Sequence, residues 1–333
     1  RRLMILMSEH TPTSKAVRDR LHRPLRDLRI SVTDRCNFRC VYCMPREIFG
    51  PGYAFLPRKD LLTLEEIARV AQVFAALGMR KVRLTGGEPL IRRNLEHLIE
   101  MIGATEGVQD ISLTTNGSML TADRAASLKQ AGLKRLTISL DALDDATFKS
   151  INDVDYPASR VLDGINNARA AGFLDIKVNA VVRRGLNEHA VLDLAKHFRH
   201  SGCIVRFIEY MDVGETNGWN LDDVIPAADL VDRIDALYPL EAVSPNYPGE
   251  VAKRWRYRDG AGEIGFITSV TQSFCGDCSR ARLSAVGELY TCLFGTQGHD
   301  LRSLLRSGAD DTQLLQAVSE IWQARTDRDS ELR

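Results

Sequence analysis

Segments with strand and helix character alternate along most of the chain, and this alternation limits the possible folds more than any other feature of the sequence. Six strands are predicted, over residues 28–33, 81–84, 109–115, 135–140, 175–182 and 204–210. Each reads as a near-continuous run of Val, Ile and Leu, which is typical of a parallel sheet covered on both faces. Strand–helix units in strict order predict an α/β fold whose parallel sheet is closed, or nearly closed, into a barrel.

Helices are predicted after these strands, where apolar residues recur at helical spacing. They cover residues 63–77, 95–102, 121–131, 161–171, 189–199 and 227–237. The first begins with Thr63 and Glu66 in the arrangement of a capping box. In a barrel of this type the site lies at the carboxyl ends of the strands. Polar residues cluster at these ends, and we expect them to belong to the site. The alternative is that they only cap the following helices or turn the chain. They are Thr85, Thr115, Ser139, Asp141, Asn179 and Glu209.

The pattern changes after Pro239. Antiparallel strands are predicted over residues 254–257 and 265–270, around a turn at Gly260 and Gly262, and two helices follow over residues 300–306 and 312–324. We therefore expect three regions. They are a flexible arm at residues 1–25, a barrel at residues 26–240 and a C-terminal α+β extension at residues 241–333.

A first cysteine triplet directly follows the first strand. Cys36, Cys40 and Cys43 have the spacing C-x₃-C-x₂-C. Three thiolates on one loop can hold three irons of a [4Fe–4S] cluster and leave the fourth iron open, which suits a reaction centre rather than an electron-transfer site. A zinc site with a fourth ligand from elsewhere and simple burial of the cysteines are the alternatives.

A second triplet, Cys275, Cys278 and Cys292, has the spacing C-x₂-C-x₁₃-C in the extension. It predicts a second three-thiolate cluster with an open iron, and a Cys₃His zinc site completed by His299 is the alternative. Arg280 and Arg282 follow Cys278, and on an extended segment both guanidinium groups can point at one anion. We expect the two triplets to face a common cavity across a shared barrel mouth.

Composition narrows the functional classes. Lys+Arg and Asp+Glu balance at 44 each, so a general basic field for nucleic acid or membrane surfaces is not expected. Six of the seven cysteines fall into the two triplets, which favours metal sites in a reducing, cytoplasmic compartment over disulfides, and Cys203 is expected in the core. The apolar run at residues 3–7 is too short for a secretory signal, and no run is long enough to span a membrane.

The first triplet resembles the signature of radical S-adenosylmethionine (SAM) enzymes, in which the open iron binds SAM. With the second triplet and the Arg-x-Arg pair, the chain is similar to the GTP 3′,8-cyclase family of molybdenum cofactor biosynthesis. The similarity includes Thr-Gly-Gly-Glu-Pro at Thr85, Thr-Thr-Asn-Gly at Thr114 and Ser-Leu-Asp at Ser139. It also includes the runs at 177–181 and 207–212. It implies the partial (βα)₆ TIM-type barrel of the superfamily, with a second Fe–S cluster in the extension.

The resemblance also implies roles for individual residues. It assigns one cluster to Cys36, Cys40 and Cys43 and the other to Cys275, Cys278 and Cys292. It assigns SAM binding to Tyr42, Gly87, Ser139 and Met211, with Glu88 adding negative charge nearby. It assigns GTP binding to Arg29, Arg83, Thr114, Lys177, Arg280 and Arg282, with Lys81 and Arg206 as further candidates. No side chain is expected to act as general acid or base, because the SAM-derived radical carries the chemistry.

The implied reaction begins when the 5′-deoxyadenosyl radical removes the ribose 3′-hydrogen of GTP, and it yields 3′,8-cyclo-7,8-dihydro-GTP. The resemblance implies an electron donor for the cluster. It also implies a downstream enzyme that converts the product to cyclic pyranopterin monophosphate. We expect the protein to be a monomer or a homodimer. Family members end in a Gly-Gly tail that this sequence lacks at Arg333. This predicts a lost tail or a divergent paralogue. The alternative functions are a peptide-modifying radical SAM enzyme and a zinc-stabilised nucleotide-binding protein without catalysis.

Overall fold

A single mixed sheet organises the molecule. The structure is a computed structural model that describes residues 16–212 and 217–332. Its first two thirds contain six strands: β1 (Asp27–Ser31), β2 (Lys81–Thr85), β3 (Asp110–Thr115), β4 (Arg135–Ser139), β5 (Lys177–Val182) and β6 (Ile204–Glu209). The helices between and after them are α1 (Leu64–Ala76), α2 (Leu95–Gly103), α3 (Ala122–Gln130), α4 (Asp145–Asn152), α5 (Ala158–Ala170), α6 (Ala190–Phe198) and α7 (Ala227–Asp235).

The last hundred residues add short strands and two helices. They are β7 (Leu240–Val243), β8 (Lys253–Tyr257), β9 (Glu263–Ile267), β10 (Arg280–Leu283), β11 (Glu288–Tyr290), β12 (His299–Asp300), α8 (Leu301–Arg306) and α9 (Asp311–Ala324). The strand order is β12-β11-β10-β1-β2-β3-β4-β5-β6-β9-β8-β7. The six strands β1 to β6 are parallel, and β10 and β9 extend them in parallel on either side. The predicted α/β partial barrel is therefore confirmed, and strands of the extension continue its sheet.

The barrel strands are not near-continuous apolar runs, so that prediction was wrong. In β1 and β2 the apolar residues Leu28, Ile30, Val82 and Leu84 are fully buried under the helices, whereas the residues between them are half-buried. Successive side chains of a strand point to opposite faces, so this alternation gives the sheet an apolar outer face and a polar inner face. The residues of the inner face build the site described below.

Residues 1–15 of the predicted arm lie outside the described residues, and residues 16–25 are packed rather than flexible. The backbone N–H of Val17 donates to the carbonyl of Leu77 at 3.0 Å, and the N–H of Leu25 donates to the carbonyl of Val17 at 2.9 Å. Leu25 has no exposed surface. The polar composition of this segment concealed a local turn in which Asp19 and Arg23 are buried as an ion pair.

Two predicted details are confirmed locally. Thr63 and Glu66 form the capping box at the start of α1, with both reciprocal hydrogen bonds present. Cys203 is buried in the core. No helix in the described part of the chain has both the length and the apolar character needed to cross a membrane.

Candidate active site: a cationic barrel interior between two cysteine triplets

The first cysteine triplet lies on a loop that continues the pairing of β1 with β2. The N–H of Val32 donates to Thr85 O at 2.8 Å, and the N–H groups of Gly87 and Glu88 donate to the carbonyls of Thr33 and Arg35 at 2.9 and 2.8 Å. A Cβ at Gly87 would lie 2.2 Å from Arg35 O and 2.9 Å from Cys36 N. Gly87 therefore permits the Gly-Gly-Glu segment to lie directly against the backbone that carries Cys36.

Arg39, between the first two cysteines, organises the same loop from within. Its Nη1 donates to the carbonyls of Cys36 and Phe38 at 2.8 and 2.7 Å, and its Nε donates to Phe49 O at 2.6 Å. Asn116 Nδ2 lies 3.9 Å from Cys36 Sγ. Burial raises the pKa of all three thiols, to about 11 for Cys43. As free thiols they are protonated near neutral pH, so binding iron as thiolates would release protons.

Two buried carboxylates fix the backbone around this loop. Glu88 has no exposed surface and accepts hydrogen bonds from Thr115 Oγ1 at 2.6 Å and from the N–H of Asn116 at 2.7 Å. Asp141 accepts from Tyr42 Oη at 2.9 Å and from the N–H of Val181 at 2.8 Å. Burial raises the pKa of Asp141 to about 6. Both carboxylates join the cysteine loop or its support to neighbouring strand ends.

The residues expected to bind SAM lie at the carboxyl ends of the strands, near the first triplet. Ser139 is the last residue of β4 and pairs with Asn179. Asn217 Nδ2 lies 3.1 Å from both Tyr42 O and Met211 O, and it thereby holds these two expected residues together. Their assignment to SAM remains a prediction.

The second triplet lies at the other end of the strands, so the expectation of one shared mouth was wrong. Arg280, at the start of β10, pairs with Asp27 at the start of β1. Cys275 and Cys278 precede this point, whereas Cys36 follows the end of β1 at Ser31. Because β10 runs parallel to β1, the two triplets flank the barrel interior from opposite ends.

A cavity of about 290 Å³ occupies this interior. It reaches from Cys275, Cys278 and Cys292 to Thr85 and Met211 near the carboxyl ends of the strands. Five of the six residues expected to bind GTP line it, namely Arg29, Arg83, Thr114, Arg280 and Arg282. The two further candidates, Lys81 and Arg206, line it as well. Lys177 does not line it, but it lies buried at the start of β5.

Strand register explains the concentration of cations. Arg282, Arg29 and Arg83 occupy matched positions on the adjacent strands β10, β1 and β2. Matched residues of parallel strands point to the same face, so three guanidinium groups enter the interior side by side. Burial, and then repulsion from Arg282, Arg83 and Arg280, lowers the pKa of Arg29 well below its usual value. Burial and repulsion from Arg280 lower the pKa of Arg282 to about 10.

These cations are unusual because they lack carboxylate partners. In the described parts of the chain, no carboxylate lies within ion-pair distance of Arg29, Arg83, Lys177, Arg280 or Arg282. The Nε of Arg280 is buried with no hydrogen-bond partner there. Uncompensated buried charge is unfavourable in a folded protein. The interior is therefore arranged to receive a polyanion.

Several residues of the site were not predicted from the sequence. Arg135 and Asp110 form an ion pair at the amino-terminal ends of β4 and β3. Tyr247 and Glu250 belong to the segment at residues 244–250, which we call the strap, and the ring centroid of Tyr247 lies 3.1 Å from Lys81 Nζ. Gly249 packs the strap onto the second cysteine loop, where a Cβ would lie 2.6 Å from Asp277 O. The strict polar alternation of the strands could have indicated Arg135, but no local pattern marks the strap.

Each triplet offers three thiols, a donor set that suits an iron–sulfur cluster. Within residues 16–212 and 217–332, no three His, Cys, Asp or Glu side chains converge closely enough to hold one metal ion. A cubane cluster attaches each thiolate to a different iron and therefore needs more widely separated sulfurs than zinc does. Around the second triplet, the neighbouring Arg280 and Arg325 lower the pKa of Cys278 to about 6 against the effect of burial, which favours a thiolate.

Comparisons with known proteins identify two family matches in succession along the chain. Residues 30–198 match the Radical SAM superfamily, and residues 203–331 match the Molybdenum Cofactor Synthesis C family. The chain is 57% identical over 324 residues to the GTP 3′,8-cyclase of Acidothermus cellulolyticus, covering 96% of this chain and 89% of that protein. It is 48% identical over 318 residues to the GTP 3′,8-cyclase of Staphylococcus saprophyticus, covering 95% and 93%.

Solved structures share the fold at lower identity. Streptococcus suis SuiB bound to S-adenosylmethionine aligns with a TM-score of 0.60 and 17% identity, covering 93% of this chain and 70% of that chain. Native anSMEcpe with bound AdoMet aligns with a TM-score of 0.53 and 16% identity, covering 81% and 75%. These likenesses concern the fold alone.

Proposed function

Because this chain belongs to the GTP 3′,8-cyclase family of radical SAM enzymes, which acts in molybdenum cofactor biosynthesis, we propose that it binds GTP inside the barrel, between its two cysteine triplets. The enzyme uses SAM and [4Fe–4S] clusters and converts GTP to 3′,8-cyclo-7,8-dihydro-GTP. The family relationship favours this reaction over peptide modification and over a zinc-stabilised binding protein. What we propose in addition is which residues perform each part of it.

The observation that carries the proposal is the set of buried cations without carboxylate partners. A nucleoside triphosphate carries several negative charges that can pair with these cations. Charge-assisted hydrogen bonds are strong where water is excluded. We assign Arg29, Arg83, Thr114, Arg280 and Arg282 to GTP from the wall of the cavity, with Lys81 and Arg206 contributing there, and we assign Lys177 to GTP from its buried position at the start of β5. Arginine predominates because its planar fork can bind two phosphate oxygens at once.

Each end of the cavity has a distinct task. At the carboxyl ends of the strands, Cys36, Cys40 and Cys43 would hold the cluster that binds SAM, next to Tyr42, Gly87, Ser139 and Met211. At the opposite end, Cys275, Cys278 and Cys292 would hold the second cluster, within reach of a nucleotide bound by Arg280 and Arg282. With both clusters and SAM bound, these groups supply the one-electron chemistry, which the protein side chains do not.

The remaining work of the chain is positioning and shielding. The pairing of Gly87 and Glu88 with Thr33 and Arg35 fixes the first cysteine loop relative to β2. The arginines orient the nucleotide so that its ribose faces the first triplet, and the walls of the barrel exclude water and competing hydrogen donors. Orientation of this kind can account for a large part of a rate enhancement.

The proposal is tested on protein purified without air. About eight iron atoms per chain are expected, because two clusters contain four each. Changing Cys275, Cys278 and Cys292 to alanine should halve the iron content, abolish formation of the cyclised nucleotide, and preserve the reductive cleavage of SAM. Full iron content in that variant would contradict the assignment of the second cluster. Turnover with GTP should also exceed turnover with ATP, since the second cluster faces the base.

Lys177 should make GTP binding pH-dependent. Burial, and then repulsion from Arg206, Arg135 and Arg83, lowers the pKa of Lys177 to about 7 in the ligand-free protein. A bound triphosphate favours the charged amine and raises this pKa, so binding at pH 8 should take up close to one proton. Affinity should accordingly fall as the pH rises above about 7. Titration calorimetry in buffers of different ionisation enthalpy measures the uptake, and Lys177→Met should remove it; unchanged uptake would exclude Lys177 as the source.

Glu250 should oppose the binding of the triphosphate. Its side chain is only 4% exposed, and its Oε1 lies 4.0 Å from Arg206 Nη2. This carboxylate of the strap therefore occupies part of the positive field that the nucleotide needs. Glu250→Gln should tighten GTP binding about threefold to tenfold at low salt, as expected for about 1 kcal/mol of removed repulsion. The exposed Glu106→Gln serves as the control, and weaker binding in Glu250→Gln would mean that Glu250 contacts the nucleotide favourably.

The remaining partners are proposals drawn from the family. We propose an external electron donor that reduces the first cluster, and a downstream enzyme that converts the product to cyclic pyranopterin monophosphate. A reducing, cytoplasmic location is consistent with two oxygen-sensitive clusters and with cysteines that form no disulfide in the described part of the chain.

A further inference from the structure

Two cysteines of the second triplet are held by buried charges to which the proposed function gives no role, although Arg325 lines the same cavity. Arg325 Nη2 donates to Cys278 Sγ at 3.2 Å, and Arg325 Nη1 donates to the carbonyl of Cys278 at 2.7 Å. Arg23 Nη1 donates to the carbonyl of Cys275 at 2.9 Å. A different guanidinium group therefore fixes the main chain of each cysteine, and one of them also contacts the sulfur.

Asp19 joins the two arginines. Its Oδ2 accepts from Arg23 Nε at 2.6 Å and lies 3.4 Å from Arg325 Nη1. The three side chains, which we call the Asp19–Arg23–Arg325 triad, are at most 2% exposed. Trp322 covers the triad, since its ring centroid lies 4.5 Å from Arg325 Cζ and its Nε1 donates to Arg23 O at 3.1 Å. Three ionised groups are thus withdrawn from water directly behind the cysteine loop.

Such burial is expensive unless the geometry is well satisfied, and structural stability alone is weak grounds for it. An apolar cluster of similar volume could join residues 17–25 to α9 equally well. What an apolar cluster could not provide is charge and hydrogen bonding at the cysteine sulfur. These two features, together with solvent exposure, are what a protein uses to set the reduction potential of an iron–sulfur cluster.

We propose that the Asp19–Arg23–Arg325 triad positions Cys275 and Cys278 and that the positively charged hydrogen bond of Arg325 to Cys278 Sγ raises the reduction potential of the second cluster. The inference rests on the proposed function, because that proposal names these cysteines as cluster ligands. A cluster gains one negative charge when it accepts an electron. Arg325 Nε also lies 3.4 Å from Asp327 Oδ2, so two guanidinium groups and two carboxylates balance in this cluster of side chains. The charge next to the sulfur is nevertheless positive, because Arg325 Nη2 donates directly to Cys278 Sγ, and this contact stabilises the reduced form.

The charge model predicts opposite shifts for two members of the triad. Arg325→Met removes a positive charge, so the second cluster should become harder to reduce. At the wild-type midpoint potential its reduced-to-oxidised ratio should fall about tenfold, which corresponds to about 59 mV for a one-electron couple. Asp19→Asn removes the negative charge and should shift the ratio by a similar factor in the other direction. Arg325→Lys keeps the charge and should stay close to the wild type.

The measurement is a redox titration followed by electron paramagnetic resonance, on full-length protein loaded with both clusters. The second cluster is the one whose signal SAM does not change. Exposed Arg93→Met controls for a change of total charge and should leave the midpoint unchanged. A purely structural triad would instead give equal loss of iron in Arg325→Met and Asp19→Asn, without opposite shifts.

The possible outcomes separate the inference from the proposed function. Wild-type protein with about four irons would overturn both, since no second cluster would exist. Wild-type protein with about eight irons, and equal midpoints in Arg325→Met and Asp19→Asn, would overturn the inference alone. If Arg325→Met fails to retain the cluster, the Asp19→Asn midpoint decides: a higher potential supports the inference, and an unchanged one overturns it.

Discussion

Replacing Arg282 by methionine should weaken GTP binding about a hundredfold and, in the same variant, make the GTP-free protein more stable. Arg282 is buried beside Arg29 and Arg280 with no carboxylate partner in the described residues, and these neighbours repel it. Loss of one buried charged contact with an anionic ligand costs about 2–5 kcal/mol, and each 1.4 kcal/mol is a factor of ten in affinity. Without the ligand, the same substitution removes an unfavourable charge.

Opposite effects on binding and stability distinguish a binding site from a structural cluster. The dissociation constant of GTP is measured by calorimetry, and stability is measured as the apparent melting temperature of the cluster-loaded protein, which should rise by a few degrees. Arg282→Lys should keep part of the affinity. Arg254 is paired with Glu263, so Arg254→Met should lower stability and leave GTP binding unchanged. If the Arg282→Met protein were less stable and bound GTP normally, the cations of the interior could not be the GTP site.

SAM cleavage provides an independent control in this variant. The first cysteine triplet follows the carboxyl end of β1, whereas Arg282 lies on β10 and pairs with Arg29 in the middle of β1. Formation of 5′-deoxyadenosine in the absence of GTP should therefore continue at close to the wild-type rate. If Arg282→Met lost SAM cleavage but bound GTP normally, Arg282 would belong to the SAM site and not to the GTP site, which would contradict our assignment.

The sequence predicted the parallel strands well because their spacing and the helices between them are local properties. It concealed the arrangement of the site because that arrangement depends on register between strands. Arg29 and Arg282 are 253 positions apart, yet β1 and β10 place them side by side. Apart from the family resemblance, polar side chains were expected only at the strand ends. Their period of two, as in Lys81, Arg83 and Thr85, was the available indication of a polar interior.

The position of the second triplet illustrates the same limitation. Spacing identified the three cysteines, but it could not reveal that β10 pairs in parallel with β1. That pairing places Cys275 and Cys278 at the amino-terminal end of the strands rather than at the expected shared mouth. The contacts of Arg325 with Cys278 and of the strap with Lys81 were equally inaccessible, since both join segments that are distant in sequence.

Replacing Gly87 by alanine should abolish binding of the first cluster while preserving the second. The added Cβ would lie 2.2 and 2.5 Å from the carbonyl oxygen and carbon of Arg35 and 2.9 Å from the nitrogen of Cys36. All three are backbone atoms, so a side-chain rotation cannot relieve the contact. The cysteine loop must therefore move away from β2, and Cys36 would leave the position from which it can share a cluster with Cys40 and Cys43.

The expected result is a decrease from about eight to about four irons per chain and at least a hundredfold loss of SAM cleavage. GTP binding should persist, because the cations of the interior are untouched. Gly52→Ala is a matched control on the segment after the same triplet, since a Cβ there meets no atom within 4 Å. Retention of both clusters in Gly87→Ala would show that the loop can move without losing its metal, and the close contact of Gly87 with Arg35 could then no longer be held to position Cys36.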